Sequence, residues 1–129
     1  MKSASVYNCS ILEIDKHHSP QGNMSIIEND FTIPFDVKRV YYLYDVPGGE
    51  SRAGHSASGS FDVIVDDGKL RRTFTLNRPY QGLLIVPGIW REIENFSSGS
   101  VCLVLASTLY DESDYIRDYK EFKEMRNEK

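Results

Sequence analysis

The 129-residue sequence contains little of what several protein classes require. It has two cysteines, one tryptophan and three histidines, and no apolar run approaches the roughly eighteen residues that a membrane-spanning helix needs. Positive charge is also scarce, with 15 Lys and Arg against 19 Asp and Glu and a net charge of −4. This balance excludes a general binder of nucleic-acid backbones, which needs a basic stripe, but allows a local basic patch for one small anion.

Common catalytic and targeting motifs are absent as well. The sequence has no phosphate-binding loop, GxSxG or CxxC motif, and its histidines form no HxH or HxxxH pair, so we expect no metal site. Cys9 and Cys102 lie far apart in apolar segments, which favours buried, reduced thiols over a disulfide. Because no charged segment followed by an apolar one marks export at the N-terminus, we expect a cytoplasmic protein.

Most of the chain has the composition of β-strands. Seven short runs are rich in Val, Ile, Tyr, Phe and Leu and bounded by turn-forming residues: 5–14, 23–28, 38–46, 60–67, 70–77, 82–88 and 100–107. Asp67-Gly68, between two of these runs, predicts a tight hairpin. The length favours a single domain over residues 1–129. Together these features predict an all-β fold, in particular an antiparallel jelly roll.

The last part of the chain changes to a helical period. From Asp111 onward, apolar residues recur at helical spacing: Tyr115, Ile116, Tyr119 and Phe122. Acidic residues lie at the start of this stripe and basic residues near its end, as the helix dipole favours. We therefore predict a C-terminal helix whose apolar stripe packs against the β-structure.

Histidines suggest one candidate site. His55 follows Arg52 by three residues, a spacing that could pair an acid–base group with an anion clamp. A half-exposed histidine at the end of a strand is the alternative. His17 and His18 lie in a polar segment, for which we expect a solvated turn.

Arginines beside aromatic residues suggest two further places. Strand alternation in residues 38–46 puts Arg39, Tyr41 and Leu43 on one face. The other face carries Val40, Tyr42 and Tyr44. An arginine on an inner face suits a polar ligand or a partner, although a packed tyrosine with an exposed arginine is the alternative. Trp90-Arg91 poses a similar choice. The pair could form a surface that binds a ring and a phosphate, or the tryptophan could pack at the rim of a barrel.

Several longer motifs occur together in this chain. They are GNMSIIE, IPFDVKRVYYLYDV, SRAGHS, SGSFDVIVDDG, FTLNRP, GLLIVPGIWREIENFSSGSVCLVLAS and YDESDYIRDYKEF. In this order the chain closely resembles the nucleotide-sugar 3,4-ketoisomerases of the cupin superfamily, which act on dTDP-4-keto-6-deoxyglucose. The resemblance covers nearly the whole chain, and IPFDVKRVYY is specific to this group. It implies a cupin-type antiparallel jelly roll with a C-terminal helix, forming a homodimer that needs no metal or cofactor.

The resemblance also implies a reaction and the residues that perform it. Such enzymes move the sugar carbonyl from C4 to C3 through an enediol, toward 3-amino deoxysugars of surface polysaccharides or antibiotics. His55 matches the first histidine of the family motif R-G-x-H-x-H, which implies a catalytic role. The positions that match substrate-binding residues are Arg39, Tyr41, Arg52, Arg91 and Gln21.

The chain departs from the family pattern after His55. There the family continues with a second histidine and an apolar strand, whereas here Ser56 and Ala57 lead directly into Ser58-Gly59-Ser60. About ten residues of the pattern are absent, and losing a strand would leave ladder groups unpaired. Two functions follow: an active ketoisomerase of dTDP-4-keto-6-deoxyglucose, or a dTDP-sugar-binding homologue with impaired catalysis.

Overall fold

The computed structural model describes residues 4–29, 31–44, 55–110 and 118–127. Within them, a 3-10 turn (Val6–Asn8) is followed by β1 (Ser10–Glu13), β2 (Lys16–Ser19), β3 (Gly22–Ser25), β4 (Arg39–Leu43), β5 (His55–Ser58), β6 (Phe61–Asp66), β7 (Arg71–Leu76), β8 (Gln81–Leu84), β9 (Trp90–Glu94), β10 (Val101–Ala106) and α1 (Tyr119–Asn127). Each of the seven predicted runs contains a strand, and the all-β fold with a C-terminal helix is confirmed. No helix in this part of the chain is long and apolar enough to cross a membrane.

The strands pair antiparallel in four groups, β1–β8, β2–β3, β4–β10–β5 and β7–β6–β9. The two three-stranded sheets share one hydrophobic core, to which Val63 and Ile93 contribute from one sheet and Cys102 from the other. Cys9 and Cys102 are both buried, reduced thiols, as predicted. We call the faces of the two sheets that line this core the inner faces.

Serine hydrogen bonds join the two sheets at one end. The Ser97 hydroxyl accepts from the Ser60 N–H at 2.9 Å, and the Ser100 hydroxyl donates to the Ser60 carbonyl at 3.1 Å. Ser60 precedes β6, and residues 97 and 100 lie between β9 and β10, so the ends of these strands meet here. The opposite ends of these strands are Asp66 in β6, Trp90 in β9 and Ala106 in β10, which pairs with Arg39. We call that opposite end, marked by Arg39 and Asp66, the distal end.

The hairpin between β6 and β7 forms where Asp67-Gly68 predicted it. The Asp67 N–H donates to the Leu70 carbonyl at 3.2 Å, and Gly68 has φ +93°, a conformation that glycine adopts without steric cost. Two side-chain oxygens of Asp67 also bind backbone N–H groups of this turn and of Val6. The turn therefore anchors the N-terminal segment as well as the hairpin.

Two strands were not predicted from the sequence. The solvated turn expected at His17 and His18 is instead strand β2, although both residues are exposed as expected. Polar composition hid this strand, because its hairpin with β3 buries no face. In β9 the charged residues likewise mask the alternation. Strand β5 begins at His55, which agrees with the alternative of a histidine at the end of a strand.

Strand β5 pairs with one edge of β10. β10 pairs with β4 on one side and with β5 on the other, with a register shift between Val101 and Cys102. The pairing with β5 covers Val101 to Leu103, so within the described residues the rest of β10 has no ladder partner on this side. A short, bulged pairing therefore covers only part of this edge.

The C-terminal helix packs as predicted, as far as it is described. Phe122 is buried, and its ring centroid lies 5.7 Å from that of Trp90, while Tyr119 contacts the same indole at 5.4 Å. Tyr115 and Ile116, the first half of the predicted stripe, lie outside the described residues. The described half of the stripe is thus a packing surface against β9.

Candidate functional site

Strand β4 carries the predicted two-faced pattern. Arg39, Tyr41 and Leu43 are partly buried, whereas Val40, Tyr42 and Tyr44 are exposed by 54%, 61% and 61%. Each inner residue lies opposite an inner residue of β10. The prediction that Arg39, Tyr41 and Leu43 share one face is therefore confirmed, and that face is the inner one.

Aromatic rings hold the Arg39 side chain at the distal end. Its guanidinium carbon lies 5.3 Å from the centre of the Tyr41 ring and 5.7 Å from that of Tyr110, and its Nε is buried. Stacking on ring faces orients a planar guanidinium. Arg39 thus places a positive charge beside a phenol on the inner face.

Arg91 joins this group from the other sheet. It lies opposite Val65, and Ile93 lies opposite Val63. These three apolar residues are fully buried, and opposed residues of an antiparallel ladder share a face, so Arg91 belongs to the inner row at the distal end of β9. Arg39 and Tyr41 therefore lie on the inner face of one sheet and Arg91, although exposed, on the inner face of the other.

Trp90 does not share a surface with Arg91. It faces outward, packs on α1, and donates a hydrogen bond from Nε1 to the Glu92 carboxylate at 2.9 Å. Of the two alternatives for this tryptophan, packing is the correct one.

The remaining predicted residues are placed less completely. His55 is the first residue of β5, and the backbone register puts it opposite Leu103, in the middle of β10, and puts Ser56 opposite the buried Cys102. Arg52 lies outside the described residues. Gln21 lies in the exposed turn between β2 and β3, where its hydrogen bonds within the described chain go to Ser19. The structure does not bring Gln21 to Arg39.

An arginine that the sequence motifs did not single out lies on the same inner row. Arg72 is opposite Val65 from the β7 side, with Phe74 and Leu76 on its face of the strand. Its guanidinium carbon lies 4.7 Å from the centre of the Phe74 ring and 5.3 Å from that of Tyr7. Alternation in residues 70–77 could have revealed it, because it puts an arginine on the apolar face of a strand.

Acidic residues at the distal end are bound on the outer face. The buried Asp66 carboxylate accepts hydrogen bonds from Arg71 Nε and from the Tyr119 hydroxyl, both at 2.7 Å. Arg71 also donates to Glu92 at 2.9 Å. Burial acts to lower the pKa of Arg71, but its hydrogen bonds to Asp66, Tyr119 and Glu92 outweigh burial and raise it. The carboxylates of Asp66 and Glu92 on the outer face are thus paired with Arg71, and not with the arginines of the inner face.

In the described part of the chain, no three His, Cys, Asp or Glu side chains are grouped so that they could hold a metal ion. The chemistry available here is that of guanidinium groups, phenols and backbone groups. Such a set binds anions and donates hydrogen bonds to carbonyl oxygens.

Comparison with known proteins gives a consistent result. The family model FdtA, described as WxcM-like, C-terminal, matches residues 7–127. The TDP-4-oxo-6-deoxy-alpha-D-glucose-3,4-oxoisomerase of Aneurinibacillus thermoaerophilus is 41% identical over 123 residues, with 88% of each chain covered. Since 88% of 129 residues is about 114, this chain supplies about nine residues fewer than the 123 aligned. That shortfall has the size expected from the segment absent after His55.

Solved structures agree with this relationship. A 3,4-ketoisomerase from Helicobacter canadensis superimposes with a TM-score of 0.87 at 39% identity, covering 93% of this chain and 98% of its own. A 3,4-ketoisomerase from Thermoanaerobacterium thermosaccharolyticum, solved as a histidine-to-asparagine mutant with TDP-4-keto-6-deoxyglucose, gives 0.89 at 33% identity and covers 95% and 96%. The fold is thus shared over nearly the whole chain.

Proposed function

The chain belongs to the FdtA family, and from this we propose that it is a 3,4-ketoisomerase that converts TDP-4-keto-6-deoxyglucose into a TDP-3-keto-6-deoxyhexose. The observation that supports the proposal is the placement of Arg39, Tyr41 and Arg91 on the inner faces of the two sheets that share the core. Relatives named as ketoisomerases favour this enzyme over a TDP-sugar binder without activity.

The reaction needs a base near C3 and a donor near O4. The C3 proton is acidic because the C4 carbonyl is adjacent, and we assign its removal to His55, because histidine side chains in general serve as acid–base groups near neutral pH. Negative charge then develops on O4, where a phenol or guanidinium such as Tyr41 or Arg39 stabilises it. O4 takes a proton, O3 loses one and C4 is protonated, so the carbonyl ends at C3 with no net gain or loss of atoms.

We assign substrate binding to the five positions that match substrate-binding residues of the family, with no metal or cofactor: Arg39, Tyr41, Arg52, Arg91 and Gln21.

The test is proton NMR of TDP-4-keto-6-deoxyglucose incubated with the protein in deuterated water. We expect a 3-keto product that carries deuterium at C4. His55→Ala should abolish turnover while TDP still binds, and His17→Ala, which removes an exposed histidine of the β2–β3 hairpin, is the matched control. TDP binding by wild-type protein without turnover would instead identify the TDP-sugar-binding homologue.

We also propose that residues 1–129 form one domain and that the protein is a cytoplasmic homodimer serving deoxysugar or O-antigen biosynthesis, with neither nucleic acid nor membrane as a partner. Support for the dimer comes from the outer face of β4, where Tyr42 and Tyr44 are exposed and their ring centroids lie 5.6 Å apart. Exposed aromatic clusters are typical of interfaces. Tyr42→Glu should give a monomer in light scattering, and an unchanged mass would exclude this face.

A further inference from the structure

We propose that Arg72 binds the diphosphate of the substrate together with Arg91, an inference that rests on the proposed function. The two arginines flank Val65 in one row of the β7–β6–β9 sheet, one on each neighbouring strand. Val65 is fully buried, so the row lies on the inner face. Neighbouring strands are about 4.8 Å apart, which puts the two Cα atoms roughly 10 Å from each other.

Within the described ranges of the chain, neither arginine is bound by an acid. Arg72 and Arg91 take part there in no ion pair and no side-chain hydrogen bond, whereas Arg71, one residue earlier, binds both Asp66 and Glu92. The sheet therefore separates the charges of its distal end. Paired charges lie on the outer face, and the inner face keeps two guanidinium groups for a ligand.

The surroundings of Arg72 suit a phosphate. Phe74 and Tyr7 offer ring faces to the guanidinium, at 4.7 and 5.3 Å, and leave its N–H edges for hydrogen bonding. A planar guanidinium binds two phosphate oxygens at once, and a diphosphate offers two phosphoryl groups. Two arginines in one row can thus each take one phosphoryl group.

The negative net charge of the chain means that an anionic substrate needs local positive charge at its binding site. The chain has a net charge of −4, so long-range attraction does not draw an anionic nucleotide to it. Binding then depends on local positive charge at the site. Arg72, Arg91 and, from the facing sheet, Arg39 supply it at the distal end.

Calorimetric titration with TDP and with TMP tests the role of Arg72. TMP lacks one phosphoryl group, so Arg72→Gln should weaken TDP binding by about tenfold to a hundredfold and TMP binding by clearly less. Arg72→Met, which keeps an unbranched stem against the two rings, is a second variant and should behave alike. Arg78→Gln removes the same charge beyond the other end of β7 and should bind both nucleotides like wild type.

Each outcome decides the question. If both variants bind TDP as wild type does, or lose TDP and TMP by the same factor, Arg72 does not hold the second phosphoryl group and the inference is wrong. Wild-type protein that fails to bind TDP would overturn the proposed function too. If wild-type protein binds TDP and the Arg72 variants keep the wild-type ratio of TDP to TMP affinity, the inference is wrong but the proposed function stands.

Discussion

The hydroxyl of Tyr119 donates a hydrogen bond to the buried carboxylate of Asp66, with 2.7 Å between the oxygens. This bond links the start of α1 to the distal end of β6, and Arg71 binds the same carboxylate oxygen from β7. The pKa of Tyr119 is raised, first because its hydroxyl is bound to a carboxylate and second because of burial. A buried carboxylate on the outer face therefore holds together the strands whose inner face carries the site.

Removing this hydroxyl should weaken the fold measurably. We expect Tyr119→Phe to lower the free energy of unfolding by about 1.5–3 kcal/mol, since hydrogen bonds to charged groups contribute that much. Urea denaturation at pH 7 measures the loss. Tyr7→Phe, which removes the hydroxyl of another exposed tyrosine, should leave stability nearly unchanged. Equal stability of the two variants would show that the Asp66 contact does not stabilise the protein.

The same contact predicts a dependence on alkaline pH. A phenol whose pKa is raised on folding stabilises the native state below its unfolded value of 10.0, and this contribution disappears as pH rises through the folded pKa. Wild-type protein should therefore lose stability above pH 10 more steeply than Tyr119→Phe. Denaturation curves at stepped alkaline pH give the two slopes, and parallel slopes would contradict the prediction.

Asp67 should make the protein sensitive to acid. Burial acts to raise the pKa of this carboxyl, but hydrogen bonds from the backbone N–H groups of Leu70, Val6 and Lys69, with the charge of Arg126, outweigh it and lower the pKa below 3.8. Its contribution to stability is thus present above pH 3.8 and is lost as pH falls through the folded pKa.

Asp67→Asn tests this contribution. The variant should be less stable by about 1–3 kcal/mol at pH 7, because buried N–H donors lose a charged acceptor. It should also lose less stability than wild type between neutral and strongly acidic pH. Chemical denaturation over a pH series measures both effects. An unchanged acid slope would mean that other carboxylates dominate acid unfolding.

Arg126 should determine how firmly α1 is attached. Its guanidinium donates to the backbone carbonyls of Asp67 at 2.8 Å, Gly88 at 3.3 Å and Ala4. We expect Arg126→Gln to lower the free energy of unfolding by about 2 kcal/mol and to speed amide exchange in α1. Lys120→Gln, an exposed change of equal charge on the same helix, should do neither. Slow exchange retained in Arg126→Gln would contradict this attachment.

Gly59 should tolerate no side chain. A Cβ there would lie 2.6 Å from Ser100 Oγ, 2.7 Å from Ser97 Oγ and 2.9 Å from Ser100 Cα, and the residue has φ +78°. Gly99 has a similar φ of +74° but nothing within 4 Å of an added Cβ. Gly99→Ala therefore measures the energetic cost of the backbone conformation without a steric clash. We expect Gly59→Ala to destabilise the protein by about 1–3 kcal/mol more than Gly99→Ala. Equal melting temperatures would show that the serine cluster yields to the methyl group.

Local pattern is sufficient for part of this fold. Alternation of apolar and polar residues predicts strands wherever one face is buried, and it puts Arg39 and Tyr41 on the same face from their spacing alone. It does not predict β2, which buries neither face, or β9, which carries charged residues on both faces. Nor does it decide the role of Trp90, because the partners of this ring, Tyr119 and Phe122, lie in the distant helix α1.

The sequence by itself determined the strand faces, the Asp67-Gly68 hairpin, the C-terminal packing stripe and, through its motifs, the family. Only the tertiary structure decided that Arg72 and Arg91 share a row across Val65 while Arg71 is bound to acids on the outer face. The reason is physical: alternation is a property of one strand, whereas register and sheet order depend on contacts between segments far apart in the chain.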